Sequence, residues 1–229
     1  MHIVITGASS GIGAATARAL AEAGRTLTLH GRNEAALADL AEEVRGLGAT
    51  PHVVVADLTE RDASERLAAS LPDRIDVLIH SAGVVQLGTV AELDARDLDR
   101  QYEVNVRAPF TLTQRLLPAL RTAEGLVVFV NSGAGLRANA GWSGYAASKF
   151  ALKAIADALR QEEASAGVRV TSVYPGRTAT PMQQEVRRQE GQPYDPDAFA
   201  PPEAIAAMIA QVVRTEPPAT VPDVTVRPA

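Results

Sequence analysis

Tyr145 and Lys149 stand four positions apart in "YAASKF", a stretch that otherwise reads as an alanine-rich helix. Residues four apart on a helix share a face, so the Lys149 ammonium is expected beside the Tyr145 hydroxyl. A positive charge there favours phenolate and lowers the phenol's pKa, which suits an acid and base working near neutrality. The same spacing also arises in surface pairs, where a lysine stem packs on a ring, so the pair takes its meaning from its surroundings. Thirteen residues earlier, Ser132 follows the apolar run "LVVFV". There it can donate a hydrogen bond to an oxygen on which charge develops, or simply cap a turn. It has no histidine partner in the sequence pattern, which argues against a hydrolytic nucleophile.

A second group of residues has the composition of a phosphate cradle. "TGASSGIG" follows the first β-like run, and Gly7, Gly11 and Gly13 punctuate the passage into the helix "AATARALAEAG". Glycines at a strand-to-helix turn let the backbone bend tightly and approach a pyrophosphate at the positive end of the helix dipole. Their other use is a tight turn alone. At the end of the second β-like run a carboxylate would select NAD by accepting from the ribose 2′-hydroxyl. This chain has "HGRN" there, with Gly31 in place of an acid and Arg32 beside it. A guanidinium can clamp a 2′-phosphate, so NADP(H) is the expected cofactor, the other reading of Arg32 being a solvated arginine at a helix start. Asp57, ending the third run, either meets the adenine edge or caps the next helix. Asn105 sits four residues before Pro109 in a helical pattern. Because proline has no N–H for the Asn105 carbonyl, a bend is expected that frees this carbonyl for a water relay to Lys149, or else an ordinary kink filled by the asparagine.

The elements that must position these groups alternate from end to end. "HIVITG", "TLTLHG", "HVVVAD", "DVLIHSAG", "GLVVFVNS", "RVTSVYPG" and "DVTVRP" read as strands, separated by helical patterns. That order predicts a doubly wound parallel sheet of about seven strands with helices on both faces, a Rossmann-type α/β fold forming one domain over residues 1–229. The first six runs are nearly continuously apolar, as strands buried on both faces should be. Residues 176–203, rich in proline and polar residues, read as an insertion over the sheet edge that serves as a substrate loop or lid.

Bulk composition removes several function classes. The 229 residues are 46% apolar, enough for a buried core, and their net charge of −5 gives no basic face for nucleic acid or anionic membrane. With no cysteine, disulfides and thiolate sites are excluded, and His2, His30, His52 and His80 lack ligand spacing, so no metal is expected. The opening "MHIVITG" is a β pattern without signal-peptide features, and no apolar run reaches spanning length; a cytoplasmic protein is expected.

Taken together, "TGASSGIG", "DLT" at Asp57, "HSAG" at 80–83, Asn105, Ser132, "YAASK" and "PGRTAT" from Pro175 resemble the short-chain dehydrogenase/reductase family, in its compact single-domain branch, in order and spacing over essentially the whole chain. The resemblance implies a catalytic set of Asn105, Ser132, Tyr145 and Lys149. It implies dinucleotide contacts from Gly7, Ser9, Ser10, Gly11, Ile12, Gly13, Arg32, Asp57, Leu58, Ser81, Ala82 and Gly83, from Tyr145 and Lys149 again, and from Pro175, Gly176, Thr178 and Thr180 beside the nicotinamide. The implied activity is NADP(H)-dependent hydride transfer to or from a small carbonyl or secondary alcohol, with 3-oxoacyl-carrier-protein reduction and a catalytically silent dinucleotide sensor as alternatives. Two features depart from the family pattern. Ser81 replaces the second amide of the usual "NNAG", which braces the sheet near the cofactor, and the glycine-rich ending that often joins subunits is missing, so the implied homo-oligomer is either dimer or tetramer. Residues 134–142, "AGLRANAGW", and 176–200 are expected to shape the substrate pocket, with Trp142, Met182, Tyr194 and Phe199 as candidate apolar walls and Arg137 or Arg177 as candidate anion contacts.

Overall fold

The computed structural model describes residues 1–228. All seven β runs form strands: β1 (His2–Thr6), β2 (Thr26–Gly31), β3 (Thr50–Val55), β4 (Val77–His80), β5 (Leu126–Val130), β6 (Arg169–Pro175) and β7 (Asp223–Val226). They form one parallel sheet in the order β3-β2-β1-β4-β5-β6-β7. The chain therefore winds outward from β1 to β3, returns to β4 beside β1, and winds outward again to β7. Between β1 and β4 the connections leave in opposite directions, which opens a crevice at the carboxyl ends of the strands.

Period-two alternation divides the strand side chains between two cores. Ile3, Ile5, Leu27 and Leu29 pack on one face with Leu37 of α2 (Glu34–Gly46) and Ile205 and Ile209 of α8 (Pro202–Arg214), and α1 (Gly11–Leu20) joins them there. Val4, Leu78, Val127 and Phe129 face the other way. They meet Leu67 of α3 (Ala63–Ala69), Leu112 and Leu116 of α5 (Ala108–Ala123) and Leu152 of α6 (Ser143–Glu162). β1, β2, β4, β5 and β6 are almost wholly buried, as their apolar runs predict. β3 is the exception among the first six: it is one of the two outer strands, and its His52, Val53 and Val55 are exposed. An apolar run records what a strand could bury, whereas its place in the sheet decides what it does bury.

The bend expected before Pro109 takes a specific form. Between α4 (Ala95–Tyr102) and α5 the helix widens into a π-turn, Glu103–Arg107, and the Ala108 N–H donates to the Glu103 carbonyl five residues back. Residues 176–203 rise over the strand ends as α7 (Pro181–Gln189) and a short 3-10 turn, then return so that Thr178 bridges to Ala200. Among the described residues no helix is long and apolar enough to cross a membrane.

Two histidines lie inside this fold. His80, stacked on Phe129 with ring centroids 5.0 Å apart, has Nε2 2.8 Å from the Thr113 hydroxyl, and burial pushes its pKa down to about 3. Burial likewise holds His30 down at about 4, although the Ala56 backbone and Asp57 pull the other way. Both folded-state pKa values lie below the unfolded value near 6.5, so their contribution is complete above that pH and is lost as pH falls towards 4 and 3. Each histidine adds a slope of about 1.4 kcal/mol per pH unit in its window. Denaturant unfolding between pH 7 and 4.5 should show stability falling with pH, and His80→Gln should flatten that slope by about half of the histidine contribution. An unchanged slope in the variant would contradict the assignment.

Candidate active site

The crevice at the switch point is a cleft of about 390 Å³. At one end Gly7 and Gly11 turn the chain out of β1 with φ of +69° and +52°. A Cβ at Gly7 would lie 2.7 Å from Ala82 Cα, so the glycine is required by close approach as well as by its dihedral angle. Ser10, at the N-cap of α1, is extended and makes no side-chain cap, and the first turn carries no acid. The leading N–H groups of α1 are therefore free of side-chain competitors, in a form that suits a pyrophosphate. Thr180 closes over this turn, its methyl 3.1 Å from where a Gly11 Cβ would stand. These observations fit a dinucleotide. Gly13 supports the turn from behind and is the one glycine of the three that does not line the cleft.

Further along, Arg32 and Asp57 face each other at 3.7 Å, the arginine side chain 56% exposed and able to turn towards a ligand. Asp57 does not cap α3, whose N-cap is Asp62; instead its Oδ1 accepts from the Thr59 N–H at 3.0 Å. Burial would raise its pKa, but bonds from the Thr59 backbone and hydroxyl, with Arg32 and Arg100 nearby, hold it below the ordinary value. A Cβ at Gly31 would meet Ser9 Oγ at 3.0 Å and Ser9 Cβ at 3.1 Å, so any side chain at this position would press on Ser9 of the glycine turn. Leu58 lines the cleft beside Asp57.

At the other end α6 carries Tyr145 and Lys149, both buried, with Lys149 Nζ 5.8 Å from the tyrosine ring centre. The ammonium donates to the Val130 carbonyl at 3.2 Å. Adjacency on the helix face is as expected, but the electrostatics differ. Burial pushes Tyr145 up to about 12, with the Ser132 hydroxyl opposing, and burial pushes Lys149 down to about 8. Helical spacing predicts neighbours; it does not predict that both lose their water, and in the protein alone desolvation outweighs their attraction. Ser132 combines its two expected positions. Its Oγ accepts from the Ala134 N–H at 3.1 Å, capping a short turn, while its own hydrogen remains available towards Tyr145.

Asn105 does not line the cleft but holds the loop that does. Its Oδ1 accepts from the Val84 N–H at 2.9 Å, and its Nδ2 donates to the Val84 carbonyl and the Ser148 hydroxyl, each at 3.0 Å. A side chain at Gly83 would enter the space between Asn105 Oδ1, at 3.3 Å, and Lys149 Nζ, at 3.8 Å. The bracing that Ser81 lacks a side-chain amide to supply comes from Thr6, whose hydroxyl accepts from the Ser81 and Ala82 N–H groups.

Gly7, Ser9, Ser10, Gly11, Ile12, Ser81, Ala82, Gly83, Pro175, Gly176, Thr178 and Thr180 line the same cleft as Ser132, Tyr145 and Lys149. Trp142 and Met182 also reach it, the indole edge-on to Tyr145 with centroids 5.9 Å apart. Tyr194 and Phe199 stack on each other outside it, and Arg137 stays outside as well. Asn139 and Gln183 line the cleft as well, within the 134–142 and 176–200 segments expected to shape the pocket, whereas sequence reasoning missed Val84 and Val85. Both follow "HSAG" directly, so the strand-end motif marked their place.

One cleft thus holds the start of α1, a buried phenol and a buried ammonium. The family model for short chain dehydrogenase matches residues 1–191. The oxidoreductase UcpA of Salmonella typhimurium is 32% identical over 200 residues, covering 85% of this chain and 75% of UcpA. Glycine betaine reductase ATRR of Emericella nidulans is 37% identical over 183 residues, 78% of this chain, but the match spans only 14% of that much longer protein. A short chain dehydrogenase of Shigella flexneri, solved in complex with NADP, superposes with a TM-score of 0.88 at 30% identity, covering 98% of this chain and 95% of its own. With the family model matched over residues 1–191 and a relative 32% identical over 85% of its length, the chain belongs to the short chain dehydrogenase family of oxidoreductases.

Proposed function

We propose that the protein is an NADP(H)-dependent reductase of small carbonyl compounds, with Tyr145 as the proton donor. The observation that carries this reading is that Tyr145 and Lys149, both buried, open into the cleft that begins at the Gly7–Gly13 turn. A bound nicotinamide dinucleotide would supply the hydride for the carbonyl carbon. Tyr145 Oη gives its proton to the carbonyl oxygen as charge develops there, Ser132 Oγ donates a second hydrogen bond to that oxygen, and the product is the alcohol. A phenol with a pKa near 12 is fully protonated at neutral pH, which is the state needed in the reducing direction. Lys149 would hold the ribose of that dinucleotide, and the Asn105 carbonyl, denied an N–H by Pro109, would accept a water able to reprotonate the pair. A silent sensor would need neither a buried phenol nor a buried ammonium. Carrier-protein recognition is not favoured by Arg187 and Arg188, which are engaged by Glu190 and Glu185.

Tyr145→Phe keeps the packing and removes the proton. Cofactor binding, followed by fluorescence titration, should persist while turnover drops by about 10²–10⁴-fold. More than about a tenth of wild-type turnover in the variant would exclude Tyr145 as the acid.

Cofactor choice rests on Arg32. Arg32→Ala should weaken NADPH by roughly tenfold to a hundredfold, the value of a charge-assisted hydrogen bond, while leaving NADH nearly unchanged. Parallel titrations of both nucleotides read this directly. Equal weakening, or a wild type that prefers NADH, would reject NADP(H) and leave the reductase reading standing.

A further inference from the structure

Among the described residues, four charged side chains line the cleft: Arg32, Asp57, Lys149 and Arg177. The first two lie by the second and third strands, and Lys149, bonded to the Val130 carbonyl, has its remaining donors assigned to the cofactor ribose by the reductase reading. Arg177 is thus the one lining cation past the β6 end with a fork free by position to hold a substrate anion. It is already occupied. Its Nη1 and Nη2 donate to both carboxylate oxygens of Glu190, at 2.9 and 2.7 Å, in the bidentate geometry that an arginine otherwise offers a ligand carboxylate. Glu190 follows α7 and its side chain is only 18% exposed. Arg187 secures it from the far side, through Nη1 to Oε2 at 3.0 Å, and bonds the Pro193 carbonyl as well. Two arginines and one glutamate leave one net positive charge, but Arg187 is not a lining residue.

The remaining wall past Tyr145 is uncharged. Val84, Val85, Trp142, Met182 and Val186 make it largely apolar, and Gln183, 7% exposed, has an Nε2 with no hydrogen-bond partner. We infer that the Arg177–Glu190 pair sets the substrate class: by filling the arginine's fork internally it makes the cleft select uncharged carbonyl compounds with an apolar body and a neutral acceptor, and reject the corresponding carboxylates. The inference rests on the reductase reading above. Glu190 acts through Arg177, as a positioning residue, and Arg177 is the specificity element that it masks. A substrate carboxylate would have to break a half-buried bidentate pair held within one chain, whereas an ester or ketone leaves it intact.

The test uses matched pairs on several carbon skeletons, such as ethyl 3-oxobutanoate and 3-oxobutanoate, with the full chain and saturating NADPH or NADH. Wild type should reduce the esters with kcat/KM at least about tenfold above the acids. Glu190→Gln should swing the ratio towards the acids by roughly tenfold to a hundredfold, chiefly through KM for the acid, because the freed guanidinium gains a charge-assisted partner. Arg177→Gln in that background should abolish the gain. A wild type that prefers the acids, or a Glu190→Gln variant in which both substrates change equally, would overturn the inference, the latter reducing the pair to a structural latch. Turnover of no member of any pair by protein that binds the nucleotide would sink the reductase reading itself, an outcome distinct from both.

Discussion

A lysine ammonium removed from water is the constraint around which this site is organised. Lys149 is 3% exposed and carries three N–H donors, of which the Val130 carbonyl takes one. Such burial costs several kcal/mol unless the remaining donors find acceptors. The fold fixes the backbone that carries it: Asn131 Nδ2 donates to the Lys149 carbonyl, and Gly135 allows the turn after Ser132 to approach that carbonyl closely. It leaves the ammonium facing the cleft, where acceptors from a sugar or a phenolate would satisfy it. Burial is also what pushes its pKa down to about 8.

The loop past β4 forms the opposite wall, and the π-turn sets its position. Asn105 projects from the widened helix and takes both backbone groups of Val84, so the loop is pinned through its main chain and its side chains are free to vary. Pro109 explains why the irregularity occurs where it does, since an unbroken α-helix would need an N–H that proline lacks. π-turns within helices cost hydrogen-bond geometry and concentrate at functional sites. Here the return is the placement of one amide.

The sequence was most legible where chemistry and backbone constraint coincide. All seven strands, the glycine turn and the helix bearing Tyr145 and Lys149 lie where periodicity and spacing put them, because burial alternation and close approach leave few residue choices. Properties set by three-dimensional neighbours were not legible. The exposure of β3 depends on its being an outer strand. Asp57 bonds Thr59 and not α3 because the helix starts five residues later than the motif suggests. The pairing of Arg177 with Glu190 joins a strand end to the far end of α7, thirteen residues on, and no local pattern announces it.

The same distinction governs the tyrosine. Spacing alone suggests a phenol already acidified by its lysine, yet in the protein alone Tyr145 is a weaker acid than free tyrosine. Under the proposed reading this is an advantage. With a neutral, reduced nicotinamide the proton stays on Tyr145, and no unpaired phenolate is buried beside the substrate. A bound nicotinamide dinucleotide would supply the hydride, and the negative charge then developing on the substrate oxygen would favour release of the Tyr145 proton. Burial therefore delays acidity until the step that needs it. Desolvation would in this way tie proton transfer from Tyr145 to the charge developing on the substrate.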